Sequence, residues 1–289
     1  MSAADQVSRD FATSYAYCEG LTREHDRDRW LAGLFAPAPA RKHLYALTAF
    51  SYEVSRLRDV VREPLAGQMR LQWWREAIGG ERSGEALANP VAAALNDTIE
   101  RFGLPRRALQ AVCEARTFDL YDDPPATMRD LEGYCGETCS ALFQLAAIVL
   151  SSGGNPGAAD ASGHAGIAYA LVGQLRALAL TSARGQAFIP AELLAAHGVE
   201  PADIVARRDG AGARAVLAEM RAHARRHLAA AQSLSRDLPM QIKPAFLPLA
   251  VLPLYLKGLE RDKDSPFRVI VAVPQWRRQW ALWLAARSA

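Results

Sequence analysis

Hard divalent cations take carboxylate oxygens as ligands. Two acids spaced i and i+4 on a helix project from one face and could share in holding such an ion. The chain has 31 Asp and Glu residues, yet none lies anywhere from Ala161 through Ala191. Asp119, Asp122 and Asp123 do gather before Pro124–Pro125, where the expectation is a helix end running into a solvated turn. Cys18, Cys113, Cys135 and Cys139 form no CxxC pair and have no histidine at zinc-ligand spacing beside them. Small buried hydrophobes in a reducing compartment are expected there, with Cys135 and Cys139 on one helical face. Near the C-terminus Trp276, Trp280 and Trp283 recur at i, i+4, i+7, flanked by Arg277, Arg278 and Arg287. Aromatics with basic neighbours at that spacing suit a membrane interface or a partner surface, and equally a helix packed on the rest of the molecule.

The elements that must carry these groups read as helices nearly throughout. Phe11, Tyr15 and Cys18 keep the spacing of one buried face, as do Leu65, Met69 and Gln72–Trp73. Leu44, Leu47, Phe50, Val54 and Leu57 do the same from His43 to Val61. Thr127 to Leu150 and His164 to Thr181 are long, poor in charge and therefore expected to be central. Arg268 to Val273 is the one β-branched cluster, ended by Pro274. Gly and Pro gather at 36–39, 79–84, 122–125, 151–163 and 207–213. The longest of these breaks separates two apolar helices that each need covering, so it reads as a loop inside one domain. The expectation is a single all-α domain over 1–289 of about ten helices, with 266–287 as a candidate docking tail.

Half of the 289 residues are hydrophobic, enough for a large core, and the net charge is +3 with both signs mixed along the chain. No concentrated basic stripe points to nucleic acid. The first residues resemble neither a signal nor a transit peptide. No run reaches the roughly 18 apolar residues of a membrane span; Ala245 to Leu256 comes nearest and is cut by Pro248 and Pro253. A bacterial cytoplasmic protein is expected.

Three stretches resemble the squalene/phytoene synthase family of head-to-head prenyltransferases. Arg29-Trp-Leu-Ala-Gly-Leu-Phe-Ala-Pro leads to Ala46-Leu-Thr-Ala-Phe-Ser-Tyr-Glu-Val-Ser-Arg-Leu-Arg-Asp59, where the family has A-L-Y-A-F-C-R-x-x-D-D-x-x-D. Leu131-Glu-Gly-Tyr-Cys-Gly-Glu-Thr is similar to its L-x-x-Y-C helix. Gly173-Gln-Leu-Arg, then Gly185-Gln-Ala-Phe-Ile-Pro-Ala-Glu-Leu-Leu-Ala-Ala-His-Gly-Val199, resembles Q-L-x-N-x-x-R-D-x-x-x-D followed by G-R-x-Y-L-P-x-E-x-L-x-x-x-G-V. The resemblance runs in order from about residue 10 to 235. It implies an isoprenoid-synthase-type helical bundle around a central cavity, with 43–60 and 164–181 facing each other across it. In the family, two acid-rich helices hold magnesium against an allylic diphosphate.

Those acids are missing here. Ser55 and Arg56 stand at the two leading Asp positions, only Asp59 remains, and Tyr52 replaces the phosphate-contacting Arg. Opposite, Gln174 persists, but Ala177 takes the Asn position and Thr181 the first Asp position. Glu53 lies about 200° around the helix from Ser55 and cannot substitute. Magnesium is therefore not expected, nor any other cofactor or catalytic residue. Tyr134 and Gln174 match positions that line the family's site. Arg56, Arg176 and Arg184 could together hold a phosphate directly, guanidinium being suited to bidentate contact.

Ala49-Phe-Ser-Tyr-Glu53, Met69-Arg-Leu-Gln-Trp-Trp-Arg-Glu76, Leu175-Arg-Ala177 and Phe188-Ile-Pro190 are similar to the branch of the family that includes a mitochondrial complex I assembly factor. That resemblance implies a non-catalytic protein that assists respiratory complex I assembly through a complex subunit or another assembly factor, with peripheral contact at the inner membrane face. The alternatives are a prenyl-diphosphate transferase with altered metal ligation and a protein that binds a prenyl or lipid ligand without chemistry.

Overall fold

The computed structural model describes residues 3–261, 265, 267 and 270–288, so Arg268 and Val269 of the β-branched cluster and the first residue of the candidate tail lie outside it. Among the described residues there is no strand. In chain order the helices are α1 (Ala3–His25), α2 (Arg27–Gly33), α3 (Ala38–Ser55), α4 (Leu57–Val60), α5 (Pro64–Gly79), α6 (Ser83–Ala88), α7 (Pro90–Phe102) and α8 (Arg106–Ala115). There follow α9 (Met128–Cys135), α10 (Ala141–Leu150), α11 (Ala159–Ala183), α12 (Ala191–Ala196), α13 (Pro201–Val205), α14 (Ala211–Leu234), α15 (Leu252–Leu259) and α16 (Gln275–Ser288). The number exceeds the expected ten because stretches of four to seven residues, such as α4 and α13, are too short to show a period.

α3 realises its pattern in full: Leu44, Leu47, Phe50 and Val54 are buried, as is Leu57 just beyond it. α11 lies along α14, while α1, α3 and α7 pack together on the other side of the core. Thr127 caps α9 by accepting from the Asp130 amide. The helix expected from Thr127 to Leu150 is interrupted by one π-helical turn, Gly136–Ser140, which adds a residue to the turn and rotates α10 relative to α9. Cys139 therefore leaves the buried face of Cys135 and is half-buried. Gly166 of α11 sits where any Cβ would collide with the backbone of Ser140 in that turn, so the two central segments meet at backbone distance.

The expected face of α5 is wrong. Leu65 and Met69 are exposed, and the buried stripe is Gly67, Leu71, Trp74 and Ile78. Gly67 abuts the Leu120 side chain, leaving no room for a Cβ; a glycine that anchors a packed face carries no hydropathy signal. Two segments, Met128–Leu150 and Met240–Leu259, have the length and apolarity of a span, with 50% and 56% of those windows buried within the bundle. The second is a 3-10 helix from Met240 to Val251, because Pro244 and Pro248 supply no amide to an α-helical ladder.

Candidate functional site

α3 and α11 form opposite walls of a cavity of about 400 Å³. α3 contributes Thr48, Ser51, Tyr52 and Ser55; α11 contributes Gly173, Gln174, Ala177 and Thr181; Asp59 and Arg184 stand at the ends of the two walls. Asp59 and Gln174 thus border one space, as the facing arrangement requires. The Tyr52 ring stacks on His25, centroids 4.1 Å apart and 7° from parallel. An aromatic pair fills the place where the family motif puts its phosphate-contacting Arg.

Two triads, buried at Asp119 and half-buried elsewhere, make a further part of the wall. Asp26, just ahead of α2, caps it by accepting from the Arg29 amide at 3.1 Å, and takes the Arg29 guanidinium at 3.3 Å. Tyr169 of α11 donates to the same carboxylate at 3.3 Å. The Arg29 guanidinium in turn lies over the Tyr169 ring, 4.4 Å from its centroid. Burial raises the Asp26 carboxyl above its ordinary range, more than Arg29 beside it lowers it. In the second triad Arg116 Nη1 donates to Asp119 at 2.9 Å and to the Tyr134 hydroxyl at 2.6 Å, and Tyr134 donates to the other Asp119 oxygen at 2.6 Å. Burial drives the Tyr134 hydroxyl well above its usual value, so it stays a neutral donor.

Asp119 is therefore not part of a solvated turn. The 3-10 turn Arg116–Leu120 swings it into the cavity wall, while Asp122 stays exposed and receives Arg58 at 2.8 Å. The sequence signal was present in both triads: Asp26–Arg29 and Arg116–Asp119 are opposite charges three apart, next to a helix end.

Tyr134, Gln174 and Arg184 line the cavity with Tyr52, Ser55, Asp59, Ala177 and Thr181; Arg56 and Arg176 are not among its lining residues. The three arginines do not meet on one anion. Arg56 pairs with Glu53 at 3.0 Å and covers Tyr52, and Arg184 pairs with Asp59. Arg176 lies about 200° around α11 from Gln174 and stacks on Tyr255, 3.7 Å from the ring centroid.

Magnesium, which the resemblance raises, does not fit this donor set. Asp26, Asp59 and Asp119 are the carboxylates of the lining, and each is held by an arginine. Among the described residues no group of three or more His, Cys, Asp or Glu is placed to hold a metal ion. Next to the cavity lies an apolar slot walled by Leu44, Leu47, Leu142 and Phe143, which shares Arg29 and Thr48 with it. The slot is only about 50 Å³, against about 300–1,000 Å³ for sites that enclose a ligand.

The model of the squalene/phytoene synthase family matches residues 22–283. The chain belongs to the squalene/phytoene synthase family. It is 33% identical over 278 residues to the mouse complex I assembly factor 6, covering 92% of this chain and 83% of that protein. The human assembly factor 6 is 31% identical, with 91% and 82% covered. A phytoene synthase from Thermus thermophilus is 29% identical over 71% of this chain and 69% of its own length. In fold the chain is similar to a dehydrosqualene synthase solved with a ligand, TM-score 0.80 at 17% identity, with 97% and 98% of the two chains covered. The all-α isoprenoid-synthase-type bundle is thereby established for this member of the family.

Proposed function

We propose that this member of the family is non-catalytic and assists the assembly of a respiratory NADH dehydrogenase complex, without magnesium, from the cytoplasmic face of a bacterial inner membrane. The observation that carries the reading is the engagement of each cavity carboxylate by an arginine. It occurs in a chain whose similarity to assembly factors spans nine-tenths of its length. A diphosphate leaving group needs counter-charge that is free to receive it, and each of these arginines already answers a carboxylate, with Arg29 Nη2 and Arg116 Nε left unpartnered. The serine, arginine, alanine and threonine at positions 55, 56, 177 and 181 offer no carboxylate to recruit metal in their place. The transferase reading lacks its ligand set, and the prenyl-binding reading would have to seat an apolar chain in the polar-walled cavity rather than in the apolar slot.

Two measurements test this. Purified protein incubated with farnesyl or geranylgeranyl diphosphate and magnesium should give no product above a protein-free control by mass spectrometry; squalene, phytoene or a cyclopropyl diphosphate would overturn the non-catalytic reading. Deleting the gene from its host should lower the amount of assembled NADH dehydrogenase on native gels, and restoring the chain should return it. Unchanged assembly in the deletion strain would overturn the assembly reading.

A further inference from the structure

α16 is fastened to the bundle by one face and leaves an aromatic face uncovered. Leu282 is 1% exposed, and Arg278 reaches the buried Asp28 of α2 at 2.8 Å, where Tyr255 also donates at 2.5 Å. On the other side Trp276, Trp280 and Trp283 are 64%, 58% and 38% exposed, and Leu284 is 48% exposed. The Trp280 and Trp283 rings stack with centroids 5.0 Å apart. Arg277 lies 5.1 Å from the Trp276 centroid and Arg287 4.7 Å from that of Trp283. The two guanidinium groups thus share the aromatic face, and no carboxylate among the described residues pairs with either. From Ser265 to Ala289 the sequence contains no Asp or Glu at all.

We infer that this face of α16 docks on an anionic lipid bilayer. Indole rings carry one polar atom on a large apolar body and settle at the headgroup boundary, while the neighbouring arginines meet lipid phosphates. A helix of 14 residues is about 21 Å long, too short to span a bilayer of about 30 Å, so it lies in the plane of the interface. The Arg278–Asp28 pair fixes that plane relative to the bundle. A second copy is the poorer occupant: an isologous contact would set this basic face against itself, with no acid on it to answer Arg277 and Arg287. The surface depends on the assembly reading only for where the protein works.

The test is co-sedimentation of the full chain with phosphatidylcholine vesicles, with and without phosphatidylglycerol. Binding should be roughly 30-fold tighter on the anionic vesicles, from two arginines at about 1 kcal/mol each, and should fall as salt rises. Trp276→Gln/Trp280→Gln/Trp283→Gln should abolish binding. Arg277→Glu/Arg287→Glu alters only exposed side chains, so it keeps the fold and should remove the preference for anionic lipid. Quenching of tryptophan fluorescence by brominated acyl chains should report insertion in the intact protein and be lost in the triple variant. Absence of binding, or equal binding to neutral and anionic vesicles, overturns the proposal. So does a concentration-dependent dimer that the triple variant abolishes. All readouts use purified protein, so their failure leaves the assembly reading standing, and normal assembly in a deletion strain would leave lipid binding standing.

Discussion

The cavity and the C-terminal helix treat arginine in opposite ways. In the cavity wall Arg29 and Arg116 are enclosed with their own carboxylates, each triad closed by a tyrosine that bonds the acid. On α16 only Arg278 is treated so; Arg277 and Arg287 lie over indole rings on an open face. A charge that is already answered stabilises or costs, but it does not recruit. An unanswered one next to exposed aromatic surface does. The carboxylates of the cavity are each paired with an arginine, whereas the arginines without a carboxylate partner that lie over indole rings are on the outside, on α16.

The comparison breaks if the triads are not interdependent, and their removal should give the largest effect. Arg116→Leu leaves the Asp119 carboxylate with only the Tyr134 hydroxyl as a side-chain partner, in a site where the acid and the arginine are only 12% and 13% exposed. Loss of one partner from a buried pair costs about 3–5 kcal/mol. Urea denaturation should show that loss, and Arg116→Leu/Asp119→Leu should recover only part of it, because the Tyr134 hydroxyl then loses both partners. A single-variant cost below about 1 kcal/mol would mean that the triad is wet and loosely held. Next in size is the fastening of α16. Arg278→Ala removes a charged hydrogen bond to Asp28, worth about 1.5–3 kcal/mol, and should expose the segment beyond Pro274 to limited proteolysis while the bundle stays resistant.

The interior also keeps titratable groups neutral. His43 Nδ1 lies 2.9 Å from both Thr98 Oγ1 and the Tyr15 hydroxyl. Those two groups donate elsewhere, to the Ala94 carbonyl and to Asp97, so Nδ1 carries the proton, while Nε2 is buried without a partner. Burial, with Lys42 and Arg101 adding to it and Asp97 opposing, lowers the imidazole to about 4. The unfolded chain binds this proton and the folded one refuses it between about 6.5 and 4, so stability should fall as pH drops through that window. The slope cannot exceed one proton, about 1.4 kcal/mol per pH unit. His43→Gln should flatten it; an unchanged slope would place the titrating group elsewhere.

The fold was legible because its largest helices advertise themselves. Leu44, Leu47, Phe50, Val54 and Leu57 are all buried as their spacing requires, and α3 and α11 do face one another across a cavity. The missing acids were legible too, since absence of carboxylate over thirty residues needs no geometry. What replaced them was not. Asp119 looked like a turn residue because a 3-10 turn of five residues leaves no periodic trace. Arg29 belongs to α2 and Tyr169 to α11, some 140 positions apart in the chain, and only the packed bundle makes them neighbours. Arg56 and Arg176 seemed candidates for an anion because sequence does not say that Glu53 and Tyr255 reach them first.

The smallest effect should come from the mouth of the cavity, and it sharpens the contrast within the site itself. Asp59 and Arg184 pair across the ends of the two walls, but their side chains remain 40% and 44% exposed. Water and salt screen such a pair, and holding two mobile side chains in register costs entropy, so exposed pairs contribute about 0.2–1 kcal/mol. A double-mutant cycle with Asp59→Ala and Arg184→Ala should return a coupling below about 1 kcal/mol, shrinking further at high salt. The equivalent cycle on Arg116 and Asp119 should give several times that and respond little to salt. A coupling at the mouth as large and as salt-insensitive as the one at the second triad would show that the whole cavity is one closed electrostatic unit, and the distinction between wall and mouth would have to be abandoned.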